Sequence, residues 1–157
     1  MRNFVSIREA TKYVYPNMSD ATIHQWMSKG IFEPWIYSPP PAGPKHGCKL
    51  NIADLVTIGL FHELLKCGAK FDDLRFSDSF PRLVQKLMEK ESCEYYVVAS
   101  HSIKQPIEIY FFKGLDFEAV TDVAEQIKDR SYLGHAVINC NVLLDYVTEK
   151  LKGLDNN

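Results

Sequence analysis

The sequence predicts an α+β fold, because the spacing of apolar residues changes from a helical to a strand pattern along the chain. Ile7, Ala10 and Val14 recur at helical spacing near the start. In the back half, "EYYVVAS" (94–100) and "PIEIYFF" (106–112) are rich in the β-branched and aromatic residues that favour strands. With 46% hydrophobic and 24% charged residues, the 157-residue chain has the composition of a globular protein that buries a core.

Two helices are predicted at the start of the chain, each with its own start signal. Ser6 and Glu9 form a capping box that opens the first helix, because a serine N-cap is followed three residues later by an acid. Ser19 opens the second helix, which ends near Lys29 with Gly30 as a left-handed C-cap. A helix this short is marginal alone in water, so contacts elsewhere in the chain must hold it.

A Pro-rich loop follows the second helix. "EPWIYS" (33–38) favours a short strand, and "CKL" (48–50) can return as another. Between them, "PPPAGPKHG" (39–47) holds four prolines and two glycines, which exclude a helix. The three segments together predict a small β-ribbon with a stiff tip.

The third predicted helix begins where Asn51 is followed by Asp54, and it ends at Gly68. "KFDDLR" (70–75) then adds one more helical turn. The apolar residues of the third helix share one broad face: Ile52, Leu55, Val56, Gly59, Leu60 and Leu64. "FSDSFP" (76–81) is a polar, Pro-terminated break, and it predicts a boundary between domains 1–76 and 77–157.

The second domain is predicted to be a small α/β domain. Its elements are a helix at 82–90, a hairpin of the two strands around "HSIKQ" (101–105), a helix at 117–129, a third strand at 135–141 and a terminal helix at 142–153. The terminal helix is amphipathic through Leu144, Val147 and Leu151, so it either covers the sheet or pairs with its copy in a second subunit.

Charge and motif content exclude several classes of protein. Residues 1–75 hold nine Lys/Arg and seven Asp/Glu, whereas residues 76–157 hold nine and thirteen, so a polyanion would meet the front half. No run approaches the ~20 apolar residues of a membrane span, and no secretory signal is visible, so a cytoplasmic protein without a membrane partner is expected. The motifs HExxH, GxSxG and GxxxxGK[ST] are absent, and we expect no enzyme.

The four cysteines predict no metal site and no cofactor. Cys48, Cys67, Cys93 and Cys140 stand apart, without the paired spacing of zinc ligands, and the five histidines are equally scattered. Reduced thiols are the expected state. The alternative, in which Cys93 and Cys140 sense oxidation or a soft metal, lacks any neighbouring feature that would favour the thiolate.

The order helix, turn, helix, Pro-tipped ribbon, helix is typical of a winged helix-turn-helix. Three segments in this order resemble the mercury-resistance-regulator (MerR) family: "TIHQWMSKGIFEP" (22–34) its recognition helix, "GCKLNIADL" (47–55) its wing exit, and "LLKCGAKFDDL" (64–74) its next helix end. The resemblance covers about residues 4–75. It implies a module that binds double-stranded DNA in a cytoplasmic, nucleoid-associated regulator of a bacterium.

The chain departs from the family pattern in four features. His24 stands where the family has a basic residue, and Trp26 stands where it has its aromatic residue. The wing runs through four prolines. The long dimerising coiled-coil helix is missing, so we expect the back half to pair two subunits into a homodimer.

The second helix carries the candidate base-reading residues. At about 100° per residue, Ile23, Trp26 and Met27 fall in one arc, which we interpret as the core side. The opposite face is small and polar, and it consists of Ala21, Gln25 and Ser28, flanked by Thr22, His24 and Lys29. Gln can pair bidentately with adenine, and Ala can contact a thymine methyl group. The alternative is a plain solvated face on a structural helix.

Phosphate contacts are predicted around this helix. The helix N-terminus near Ser19 can meet a phosphate, and His24 can donate to one more weakly than an arginine would. Lys45, His46 and Lys49 on the ribbon and Arg8 and Lys12 on the first helix are further candidates. The alternatives are a solubilising loop and ordinary exposed helix charges. Trp35 and Tyr37 either stack on DNA or pack the ribbon onto the helices.

The aromatic residues of the back half allow two interpretations. Tyr95, Tyr96, Tyr110 and Phe112 either line a pocket for an unknown small effector or pack a sheet core. Two functional alternatives to a regulator also stay open. One is an architectural, excisionase-like adaptor, and the other is a protein-interaction module that has lost DNA binding.

Overall fold

The computed structural model describes residues 4–32, 48–70, 72, 74, 79–89, 94–102, 108–114, 125 and 132–155. Over these ranges the chain is α+β, as predicted. The strands are β1 (Val5–Ser6), β2 (Lys49–Leu50), β3 (Tyr95–Ser102), β4 (Glu108–Lys113) and β5 (Tyr132–Asn139). The helices are α1 (Ile7–Glu9), α2 (Asp20–Ser28), α3 (Ile52–Lys66), α4 (Ser79–Met88) and α5 (Cys140–Asp155), and α1 continues directly as a π-helical segment (Ala10–Val14).

The chain divides into two compact units. The first unit comprises Met1–Gly59 and Val142–Asn157, and the second comprises Leu60–Asn141. The predicted boundary between residues 76 and 77 falls in a stretch, 75–78, that lies outside the described residues, and the division into 1–76 and 77–157 stays a prediction. The first unit is therefore built from both ends of the sequence.

In the first unit, Ser6 ends a strand and begins a helix. Its backbone N–H donates to Glu9 Oε2 at 2.8 Å, and the Glu9 N–H donates to Ser6 Oγ at 3.2 Å, which confirms the capping box. β1 pairs antiparallel with β2, with Val5 opposite Leu50 and Ser6 opposite Lys49. The predicted strand at "CKL" is thus confirmed. Its predicted ribbon partner at 33–38 lies outside the described residues.

Helix α2 is closed at its C-terminus by a Schellman motif. Gly30 has φ 64°, and its N–H donates to the Met27 carbonyl at 3.0 Å. The Ile31 N–H donates to the Trp26 carbonyl, also at 3.0 Å. The predicted left-handed cap is confirmed, since glycine adopts a positive φ without the steric cost of a side chain.

Helix α3 contains the point between Gly59 and Leu60 at which the chain passes from the first unit to the second. Asn51 and Asp54 cap it reciprocally, with N–H to side-chain oxygen distances of 2.8 and 2.9 Å, as predicted from their spacing. The helix is buried on most sides, with Leu55, Val56, Ile58, Leu60 and Leu64 all fully inaccessible. A helix that is apolar nearly all round is one that other elements surround. Gly68 ends it with φ 94°.

The π-helical segment places Tyr15 against α3. The Tyr15 N–H donates to the Ala10 carbonyl five residues back, at 2.8 Å, and the Tyr15 hydroxyl donates to the Leu55 carbonyl at 2.7 Å. A Cβ atom on Gly59 would collide with the Tyr15 hydroxyl and would lie 2.8 Å from Leu143 Cδ1 of α5. The absence of a side chain at Gly59 is therefore what lets these two residues approach.

Helix α5 completes the first unit. The Tyr146 hydroxyl donates to the Val14 carbonyl at 2.6 Å, and its ring lies 6.4 Å from that of Tyr15. The apolar stripe of α5 is buried through Val147, Leu151 and Leu154, whereas Leu144 is only partly buried.

The junction between β5 and α5 lies two residues earlier than predicted. The sequence predicts a strand through Asn141, but β5 ends at Asn139 and α5 begins at Cys140. The physical reason is a side-chain cap, since Asn139 Oδ1 accepts the Asn141 N–H at 3.0 Å and replaces the strand pairing with a helix start.

The second unit contains a three-stranded antiparallel sheet in the order β4-β3-β5. The predicted hairpin strands and the third strand are confirmed, with Val97 opposite both Phe111 and Ile138. Phe80 of α4 packs edge-on against Phe111 and against Phe61, each at 5.1 Å between ring centroids.

Helix α4 begins at Ser79, earlier than the predicted start at residue 82. Pro81 lies in its first turn, where no intrahelical partner is needed for an N–H, so the proline does not delay the helix. Of the predicted helix at 117–129, only Glu125 is described, and it is helical. Within the described ranges, none of the helices combines the length and apolar character that crossing a bilayer requires.

Replacing Gly59 with alanine should destabilise the protein, because the new methyl group must displace Tyr15 or Leu143. Overpacking costs about 1–3 kcal/mol, and the better helix propensity of alanine offsets up to about 1 kcal/mol of that. We expect a net loss of roughly 1–2 kcal/mol in the free energy of unfolding, measured by urea denaturation.

Gly153→Ala is the matched control, since a Cβ at this helical glycine meets nothing within 4 Å. It should be neutral or stabilising by up to about 1 kcal/mol. Equal effects of the two substitutions would show that close packing at Gly59 is not what matters.

Candidate nucleic-acid interface

Helix α2 is packed against the rest of its unit through one side only. Ile23 is 0% exposed and Trp26 is 2% exposed, whereas Met27 is partly buried. The prediction that this arc faces the core is confirmed, and Trp26 is a core residue. Because both large side chains are enclosed, the orientation of α2 about its own axis is fixed.

The opposite side of α2 faces solvent. Ala21, His24, Gln25, Ser28 and Lys29 are all exposed, and Thr22 is partly exposed. No described residue hydrogen-bonds the Gln25 side-chain amide, so its donor and acceptor are available to a partner. The Ser28 hydroxyl donates to the Gln25 carbonyl of the preceding turn at 3.0 Å, and this hydrogen bond directs the hydroxyl along the helix.

The start of α2 is fixed by two side chains. Ser19 Oγ accepts the Thr22 N–H at 3.2 Å and shares a hydrogen bond of 2.9 Å with the Thr22 hydroxyl. The Thr11 hydroxyl donates to the Asp20 carboxylate. The one acidic residue on this helix, Asp20, is therefore partly buried and bound to the π-helical segment.

The described cationic candidates belong to the same unit as α2. Arg8, Lys12 and Lys49 are exposed, and Lys49 pairs with Ser6 immediately before α1. The Lys12 ammonium lies 4.9 Å from the centre of the Tyr13 ring. Lys45, His46, Trp35 and Tyr37 lie outside the described residues, and their roles stay predictions.

A cleft in the second unit includes two of the four aromatic residues predicted to form an effector pocket. Tyr95 and Phe112 line it, but Tyr96 and Tyr110 do not. The predicted set of four aromatic residues is therefore divided, and the cleft holds Phe111 in addition.

The cations of this cleft, Arg82, Lys86 and Lys113, are not among the site residues predicted from the sequence. The spacing of Arg82 and Lys86, one helical turn apart, was a visible signal. Lys113 lies in the same cleft only because the register of the sheet places it opposite Tyr95.

The described thiols are all poor nucleophiles. Burial raises the pKa of Cys48, with a further contribution from Asp54, and burial also raises the pKa of Cys67. Burial raises the pKa of Cys140 to about 12. Among the residues that the structure describes, no three His, Cys, Asp or Glu side chains converge as metal ligands would.

No protein-family model matches the sequence, and no curated protein matches it significantly. Functional inference therefore rests on the geometry of α2 and its surroundings.

Cys140 should resist alkylation in the folded protein at pH 7.5, because it is 0% exposed and its pKa is about 12. Roughly one thiol in ten thousand or fewer is then ionised. Iodoacetamide labelling followed by peptide mass spectrometry should modify Cys140 only after guanidinium is added. Cys67, which is partly exposed, is the internal comparison, and equal labelling rates of the two in the native protein would contradict the expectation.

Proposed function

We propose that the chain is a sequence-specific DNA-binding transcriptional regulator whose front half is a winged helix-turn-helix of MerR-like type. The observation that carries this proposal is the division of α2, with Ile23 and Trp26 enclosed and Ala21, Gln25 and Ser28 exposed. An α-helix fits the major groove when its outward side chains are short or can bond base edges.

Base reading is assigned to Gln25 and Ala21. The Gln25 amide can form two hydrogen bonds with adenine, and the Ala21 methyl group can contact a thymine methyl group. The binding of Asp20 by Thr11 supports this assignment, because an outward carboxylate at the helix start would repel phosphates.

Phosphate binding is assigned to the cations around the helix. Arg8, Lys12, Lys29 and Lys49 are exposed in the same unit, and Lys45, His46 and the N-terminus of α2 at Ser19 extend this set. Such contacts position the protein without reading sequence. Affinity should fall by about 0.9 log units per log unit of salt for each phosphate contact.

The proposed regulator is a cytoplasmic, nucleoid-associated homodimer that pairs through the back half. Val142 of α5 is 62% exposed, which supports a protein contact on the outer side of this helix. Dimers of such readers bind two half-sites related by symmetry. A strictly monomeric species in light scattering at working concentration would exclude this arrangement.

One alternative follows from the net charge of −2 and from His24 in place of a fixed cation. The chain could be a protein-interaction module, and selection of bound sequences from random DNA at two salt concentrations decides this point. An absence of enrichment at both would establish the alternative. An architectural adaptor would instead bend DNA equally with and without small molecules.

Gln25→Ala and Lys49→Ala should weaken DNA binding in different ways. Loss of the Gln25 amide should cost about 1–3 kcal/mol on the selected site and relax specificity at one base pair. Loss of the Lys49 cation should weaken selected and random DNA alike and reduce the salt slope by about one. Fluorescence anisotropy across a salt series measures both effects.

Gln85→Ala is the matched control, because Gln85 is also an exposed glutamine on a helix, in the second unit. It should leave both affinities unchanged. If Gln25→Ala and Lys49→Ala act identically on selected and random DNA, the assignment of base and phosphate contacts is wrong.

His24→Arg should strengthen DNA binding. Arginine is always charged and donates through a planar fork that matches a phosphate, and an imidazole ring has no such fork. We expect a steeper salt slope, by about one, at the same pH. An unchanged slope would place residue 24 away from the phosphate backbone.

A further inference from the structure

The second unit contains a cleft of about 210 Å³ between α4 and the edge of the sheet at β3 and β4. Its apolar floor includes Leu83 and Tyr95, which are 5% and 4% exposed, and Phe111. Phe80 packs edge-on against Phe111 at 5.1 Å, so this ring is held in place from behind. The floor is thus pre-formed, as it is in most small-molecule sites.

Three cations surround this floor. Arg82 and Lys86 are four residues apart on α4 and therefore lie on the same side of the helix. Lys113 pairs with Tyr95 in the antiparallel register of β3 and β4, which brings a third cation to the floor from the opposite element. The turn after Lys113 is fixed, since the Gly114 N–H donates to the Glu94 carbonyl at 2.7 Å.

The charge of the cleft has one sign. No Asp or Glu is among the described residues that line it. Glu94 precedes Tyr95 in β3, but its carboxylate accepts a hydrogen bond from the Tyr96 hydroxyl. The cleft therefore presents positive charge over an apolar surface, although the second half of the chain is acidic as a whole.

We propose that this cleft binds a small amphipathic organic carboxylate, with the acid group held by Arg82 and Lys86 and an aromatic or alkyl body on Leu83, Tyr95 and Phe111. The apolar floor excludes a bare inorganic anion as the preferred ligand, because such an ion would leave that floor covered only by water. The cations would repel a protonated amine, so amines are excluded as the preferred ligand. The volume lies below the about 300–1,000 Å³ of sites for drug-sized ligands, so the body is one or two rings or a short chain.

The proposal does not depend on DNA binding. The cleft lies in the second unit, and its test uses the full chain without DNA. Failure of one proposal therefore leaves the other unaffected.

Isothermal titration calorimetry with four probes tests the ligand class: 2-naphthoate, the neutral 2-naphthalenemethanol, the cationic 2-naphthylmethylammonium and inorganic phosphate. We expect 2-naphthoate to bind with one-to-one stoichiometry and each of the other three to bind at least about tenfold more weakly. Equal binding of the alcohol would show that the cations do not contribute, and equal binding of phosphate would show that the floor does not.

Charge reversal tests the location. Lys86→Glu should weaken 2-naphthoate binding at least about tenfold, whereas Lys152→Glu, at an exposed lysine of α5, should change it less than about twofold. Circular dichroism verifies that both variants are folded. In the wild type, 2-naphthoate should shift amide NMR signals at residues 82–86, 95 and 111–113. No heat and no shift at millimolar ligand, shifts elsewhere, or an unchanged affinity in Lys86→Glu would overturn the proposal.

Discussion

Tyr15 can lie against α3 only because Gly59 has no side chain. The Tyr15 hydroxyl is bound to the Leu55 carbonyl, and Leu143 of α5 occupies the other side of the same gap. Tyr15 also ends the π-helical segment, and its carbonyl accepts the Met18 N–H in the turn that leads to α2. This close approach between a tyrosine and a helix backbone holds the residue at which the turn toward α2 begins, and the burial of Ile23 and Trp26 decides which side of α2 is exposed.

The features that the sequence predicts well are those that a few neighbouring residues decide. The capping boxes at Ser6 and Asn51 and the glycine ends at Gly30 and Gly68 depend on atoms within one helical turn. The pairing of Val5 with Leu50 was not predicted, because the partners are far apart in sequence and each strand is only two residues long. Nothing in local spacing marks such a pair.

The contrast between features decided by neighbouring residues and features decided by distant ones also explains which of the two candidate sites could be predicted from the sequence. The exposed face of α2 was predictable, since helical rotation alone decides which residues oppose Ile23 and Trp26. The cationic cleft was not, because Lys113 meets Arg82 only after β4 has paired with β3 and α4 has packed on the sheet. The net charge of the chain does not predict where cations collect. The chain has a charge of −2, yet Arg82, Lys86 and Lys113 line one cleft.

The discontinuity of the first unit has a consequence for how the protein is made. Residues 1–59 leave the ribosome first, but Val14 and Tyr15 acquire their contacts with Tyr146 only after the 82 residues of the second unit have been synthesised. During translation at about 5–20 residues per second, the early segment waits several seconds or more with its apolar side chains uncovered. Contacts across so long a separation also slow folding after release. The helix that reads DNA in our proposal thus follows shortly after Val14, which receives a hydrogen bond from a residue 132 positions later in the chain.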